Sequence, residues 1–236
     1  MAAAETFQIQ GREVILPCIV RDAGSGNAMY LVPAEAAQKL LPGDAYEVLE
    51  VAPGQAQLIL GIIDYRDNDL GDYNEMAIIF LVKPRGAGAD AAGTFIYKLP
   101  VNQAFTCEAG CTIWGFPKSV EKIDMTYTEA TVSGRLEMDG QHVFTLTVPR
   151  GQAESPAGDE TQTPTYTYIA GTPHATAFST GGANALNAGG EGVVLELGDH
   201  PLAGELRGLG LEGAQPVMSV WNEHMTGSFG PASKLA

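Results

Sequence analysis

Two stretches, Gln57-Leu-Ile-Leu-Gly-Ile-Ile63 and Met76-Ala-Ile-Ile-Phe-Leu-Val82, decide how this chain folds. Each is a short apolar run rich in β-branched residues, the signature of a buried strand. Both fall far short of the ~20 apolar residues that a membrane-spanning helix needs. The pattern continues outward from them. Glu13-Val-Ile-Leu-Pro-Cys-Ile-Val20 and Tyr46-Glu-Val-Leu-Glu-Val51 have the same character. Thr94-Phe-Ile-Tyr-Lys-Leu99, Lys122-Ile-Asp-Met-Thr-Tyr127, Ala130-Thr-Val-Ser-Gly-Arg-Leu-Glu-Met138 and His142-Val-Phe-Thr-Leu-Thr-Val148 alternate apolar with polar positions. That alternation suits antiparallel strands with one face buried. Asp139-Gly140 between the last two is a tight-hairpin signal.

Helical signals are few. Pro33-Ala-Glu-Ala-Ala-Gln-Lys-Leu-Leu41 has a proline at its start, strong helix formers within and a Pro42-Gly43 stop. Residues 151–165, rich in Pro, Gly and Thr, read as a long surface loop, and residues 181–190 as a small-residue connection. No repeat of fixed period is present. The expected architecture is one domain over residues 1–236, mainly β, built as two packed sheets or a barrel with one or two short helices.

Composition narrows the function. Of 236 residues, 28 are acidic and 13 basic, a formal net charge of −15 that argues against nucleic acid. Charged residues make up only 17%, against roughly 25% in a typical domain, so the chain can bury a large core. Its start has no basic, apolar leader, and its three cysteines (Cys18, Cys107, Cys111) form no metal-type set. These features predict a reduced, cytoplasmic protein free of membrane.

Several motifs carry nothing. Gly208-Leu-Gly-Leu-Glu-Gly213 has dinucleotide-loop spacing, but Pro216 and a strand-like run follow where a helix must begin. The acidic run from Asp64 to Asp72 lacks the phase of a calcium loop. The four histidines are far apart, and no Gly-x-Ser-x-Gly elbow occurs. No metal or cofactor is expected.

Ile113-Trp-Gly-Phe-Pro-Lys-Ser119 is different, because a lysine follows two aromatic residues and a proline. Burial disfavours an ammonium and lowers its pKa. A neutral amine attacks ketones and aldehydes, and the protonated imine then accepts electrons from a breaking C–C bond. The competing reading is a lysine that extends its amine to the surface from a strand end.

Gly115-Phe-Pro-Lys118, with Ala109-Gly110 before it, resembles the Schiff-base segment of the acetoacetate decarboxylase superfamily, itself the standing example of a lysine activated in this way. Gly71-Asp-Tyr-Asn-Glu75 is similar to the family's Gly-x-Tyr-x-Glu, whose glutamate lies in the active site. Gly11-Arg-Glu13, with Arg21 as the other candidate, resembles its N-terminal arginine. Trp221-Asn-Glu-His-Met-Thr-Gly-Ser-Phe-Gly230 is similar to the more distant members. There are departures. Ser119 stands where the decarboxylase has a second lysine, Cys111-Thr112 replace an Arg-Glu pair, and Leu60-Gly61 falls where a second glutamate is expected.

The resemblance implies a closed, cone-like antiparallel barrel, homo-oligomers, and lyase chemistry on a small keto acid or ketone: decarboxylation, or aldol, retro-aldol or dehydration. Lys118 is then the Schiff-base residue and Glu75 the proton shuttle. Arg12 or Arg21 is the carboxylate clamp, and Trp114, Phe116 and Met76 line the pocket. The alternative is a non-catalytic β-barrel module that binds a small hydrophobic ligand.

Overall fold

A computed structural model describes residues 5–151 and 160–235. Seven strands close on themselves. Starting from Tyr73–Pro84, the order runs through Gln55–Asn68, Cys18–Pro33, Met218–Lys234, Thr172–Gly181, Thr161–Ile169 and Gly93–Val101, which pairs with Tyr73–Pro84 again. All seams are antiparallel except that between Thr161–Ile169 and Gly93–Val101. Closure removes the unpaired edges that an open sheet of this hydrophobicity would expose.

A second sheet packs on one side of the barrel wall, with Lys122–Tyr127, Thr131–Met138, Gln141–Pro149 and Val194–Leu197 in that order. The expected hairpin joins Thr131–Met138 to Gln141–Pro149, with Asp139 and Gly140 both at positive φ. Side chains of a strand alternate between its two faces, and the wall strands use both. Leu58, Leu60, Ile62, Met76, Ile78 and Phe80 point outward to meet Leu136, Phe144 and Leu146 of the second sheet. The alternate residues, among them Ile63, Tyr65, Tyr73 and Ala77, face the barrel interior. Two buried faces explain why residues 57–63 and 76–82 read as unbroken apolar runs.

The described residues form three α-helices: Ala34–Leu40, as expected, and two the sequence did not announce, Ala104–Trp114 and Pro201–Gly208. Two loop expectations are corrected. Residues 161–165 belong to the Thr161–Ile169 strand, while residues 152–159 of the expected loop lie outside the described residues. Residues 184–188 of the small-residue connection pair with Met218–Lys234. Backbone pairing recruits both segments despite weak propensity, because tertiary context decides strand formation. Among the described residues, no helix is long and apolar enough to cross a membrane.

Candidate active site

The Ala104–Trp114 helix caps the barrel and delivers Lys118. Its N-terminus is held by Gln103, whose side-chain oxygen accepts from the Thr106 amide at 2.7 Å. The helix ends at Gly115, which adopts left-handed φ of +67° and leaves no room for a side chain, since a Cβ would stand 2.6 Å from the Tyr168 carbonyl oxygen. Phe116 and Pro117 then turn the chain into the short strand Lys118–Val120, parallel to Gly93–Val101. The Lys118 stem lies across the helix at Gly110, where a Cβ would come within 2.6 Å of Cδ and 2.7 Å of Cε. A glycine there gives the lysine its path.

Lys118 Nζ donates to Glu75 Oε2 at 2.8 Å and to Thr106 Oγ1 at 3.2 Å. It also sits 4.9 Å from the centre of the Tyr73 ring. Only 4% of the Lys118 side chain and 7% of the Glu75 side chain are exposed. Tyr65 stacks on Tyr73 with ring centres 4.5 Å apart, and its hydroxyl approaches Glu75 Oε1 at 3.5 Å.

The electrostatics correct one expectation. Burial does push the Lys118 pKa down and is the largest single influence, but the Glu75 carboxylate, followed by Tyr73, outweighs it. The amine is held above its ordinary value of 10.5 rather than below it. Lys118 is thus paired with a carboxyl group inside the barrel, and both are almost fully buried. Burial also raises the Tyr73 phenol to about 12 and the Tyr65 phenol well above its usual range.

This pair opens into the barrel interior, a cavity of about 360 Å³ to which all seven barrel strands contribute. Trp114 and Phe116, both expected there, line it as a stacked pair 5.6 Å apart. The Trp114 indole N–H donates to the Gly230 carbonyl at 2.8 Å. Phe229 packs on Phe116, so the 221–230 segment builds the wall of the site.

The other expected residues lie elsewhere. Met76, next in sequence to Glu75, points to the opposite face and is buried against the second sheet. Arg21 is exposed and committed to Asp67 at 2.8 Å and Asp69 at 2.6 Å. Arg12 lies over the Phe105 ring at 3.8 Å, outside the residues that line the cavity. Three residues that sequence reading missed join the site. Tyr73 was legible, two positions before Glu75 and hence on the same strand face. Thr106 lies one helical turn before Gly110. Tyr65 had no local signal.

The fold is a closed barrel that holds a buried lysine against a buried carboxyl group. The sequence model of the acetoacetate decarboxylase family matches residues 15–180, more than half of the chain. The chain belongs to that family and is an enzyme of the lyase type. Comparison with curated protein sequences finds no match. Among solved structures, an acetoacetate decarboxylase from Legionella pneumophila superposes with a TM-score of 0.67 at 20% identity, covering 93% of this chain and 87% of that one. The enduracididine biosynthesis enzyme MppR, complexed with pyruvate, gives 0.62 at 16% identity, with 93% and 91% covered. An acetoacetate decarboxylase-like enzyme from Sphingomonas wittichii RW1 gives 0.55 at 19% identity, with 92% and 93% covered.

Proposed function

We propose that Lys118 forms a Schiff base with a small keto acid and that the imine serves as electron sink for C–C bond cleavage or formation. The observation that carries this reading is the Lys118–Glu75 pair, 2.8 Å apart and sealed inside an apolar barrel. Inside a low-dielectric cavity an ion pair gains Coulomb energy but loses hydration. A proton shift along the hydrogen bond, from ammonium to carboxylate, converts it into a neutral amine and a neutral acid. Glu75 is thus both the group that stores the lysine as an ammonium and the base that releases it.

The amine lone pair attacks the substrate carbonyl carbon. Glu75 then returns the proton to the departing hydroxyl, water leaves, and a protonated imine stands beside a carboxylate again. Three ammonium hydrogens end as two in water and one on the imine nitrogen. For a 3-oxo acid, electrons of the bond to the carboxylate carbon flow to the imine nitrogen, releasing carbon dioxide and leaving an enamine. Glu75, reprotonated from solvent, protonates the enamine carbon, and water hydrolyses the new imine. For a 2-oxo acid, an enamine that keeps its carboxylate arises by loss of a proton from the adjacent carbon to Glu75 and attacks an aldehyde. Arg12 and Arg21 lie outside the cavity lining, so in this reading neither holds the substrate carboxylate. The reading places the enzyme in the cytoplasm as a homo-oligomer. Exposed apolar residues such as Leu186 and Val120 support the assembly.

Product analysis tests it. Wild-type protein incubated with acetoacetate, or with pyruvate plus an aldehyde, is expected to release carbon dioxide or form an aldol or dehydrated product. Lys118→Met should do neither. Turnover by Lys118→Met at the wild-type rate would refute the reading.

A further inference from the structure

The cavity is much longer than a small keto acid needs. Counting along three adjacent strands, its lining takes Ser25, Asn27 and Met29 from the first, Ile63 and Ile59 from the second, and Glu75, Ala77 and Ile79 from the third. Register aligns these into rows: Ser25 with Ile63 and Glu75, Asn27 with Gly61 and Ala77, Met29 with Ile59 and Ile79. From the Glu75 row to the Ile79 row is four residues, about 13 Å of extended chain. The volume of about 360 Å³ lies within the range of roughly 300–1,000 Å³ typical of sites for drug-sized ligands.

The middle row lies side by side on one wall, with Asn27 beside Gly61 and Gly61 beside Ala77. A Cβ on Gly61 would lie 3.4 Å from the Ala77 Cβ and 2.9 Å from Asn27 Oδ1, so a larger residue at either small position would narrow the cavity. Beyond that row the walls are Met29, Ile59, Ile79 and Ile96, with hydroxyls of Thr94 and Thr165 bonded to each other at 3.1 Å. Among the described residues, the charged groups in the lining are Lys118 and Glu75, at the near end. A charged group in the far chamber would meet hydroxyls but no opposite charge among the described lining residues.

We propose that the preferred substrate is a keto acid carrying an extended apolar tail, which runs along the barrel wall past Gly61 and Ala77 toward Met29, Ile59 and Ile79. The proposal rests on the Schiff-base reading for its head group, while the tail chamber is testable apart from it. Burial of apolar surface makes each added methylene tighten binding, by about fourfold, until the chamber is full.

The test is a chain-length series. Straight-chain 2-oxo acids from pyruvate to 2-oxooctanoate are incubated with the full-length protein, reduced with borohydride, and the label at Lys118 is quantified by peptide mass spectrometry. The half-saturating concentration should fall about fourfold per methylene over several carbons. In Gly61→Val and Ala77→Ile the ratio between longest and shortest acid should shrink to near one, with thermal unfolding confirming that each variant folds. A flat or inverted series in wild type, with Lys118 labelled by pyruvate, overturns the tail proposal and leaves the Schiff base standing. If no oxo acid labels Lys118, the head-group reading fails, and 1-octanol, which forms no imine, decides the chamber by calorimetry. Binding that both variants abolish supports the chamber, and no binding to wild type overturns it.

Discussion

Lys118 Nζ lies 2.8 Å from Glu75 Oε2, with both side chains almost wholly removed from water. Each group makes the other's charge tolerable, so removing one partner strands the other, at a cost of about 3–5 kcal/mol. The pH dependence separates the two states. In wild type the Lys118 pKa is raised above its ordinary 10.5. Its contribution to stability is therefore complete below 10.5 and is lost as pH rises through the folded value. In Glu75→Gln the carboxylate is gone, and burial, the largest single influence, lowers the folded pKa against Tyr73. The unfolded chain then binds more protons over the window between that value and 10.5, and stability rises with pH there. Denaturant midpoints from pH 7 to 11 should show slopes of opposite sign, and matching slopes would refute the pairing.

Gly110→Ala tests the path of the lysine stem. An alanine favours the helix by up to about 1 kcal/mol, yet its Cβ would meet Lys118 Cδ and Cε at 2.6 and 2.7 Å. The variant should fold with near-normal stability and lose at least tenfold in imine formation, because the amine moves away from Glu75. Unchanged trapping kinetics would show that the stem has another route.

Gly115→Ala acts through the backbone. Its φ of +67° costs an L-residue about 1–2 kcal/mol, and the Tyr168 carbonyl leaves no space for a methyl group. Chemical denaturation should show a loss of at least that size. Wild-type stability would contradict the cap geometry.

Met76→Ala separates core from site. Met76 has no exposed surface and packs between barrel and second sheet, so truncation should cost about 2–5 kcal/mol. Lys118 labelling per folded molecule should persist. Loss of labelling in a folded variant would return Met76 to the pocket.

Much of the fold was readable because strands with a steady environment advertise it. The second sheet has one buried face and alternates, and the barrel wall has two and does not. The Cys18–Pro33 strand was readable only at its start, since Gly24-Ser-Gly26 has the composition of a turn. The glycines are there for clearance, as a Cβ on Gly24 would meet Trp221 at 3.0 Å and one on Gly26 would meet Ile62 at 3.1 Å. The Ala104–Trp114 helix was masked by Thr106, Gly110 and Thr112, residues of poor helix propensity that are placed for packing and for Lys118. Lys118 and Glu75 were named from local motifs. The direction of the lysine pKa shift was not legible, because it depends on a carboxylate 43 positions away in sequence. Met76 was misplaced by proximity to Glu75, where a period of two sends neighbours to opposite faces.

The central claim is that Lys118 is the residue that captures a carbonyl substrate. Reduction with borohydride in the presence of a keto acid, followed by peptide mass spectrometry, asks this directly. The account predicts one stable adduct, on Lys118, with none on the other five lysines and none in Lys118→Met. An adduct on another lysine, or no adduct with any 2-oxo or 3-oxo acid, would contradict it.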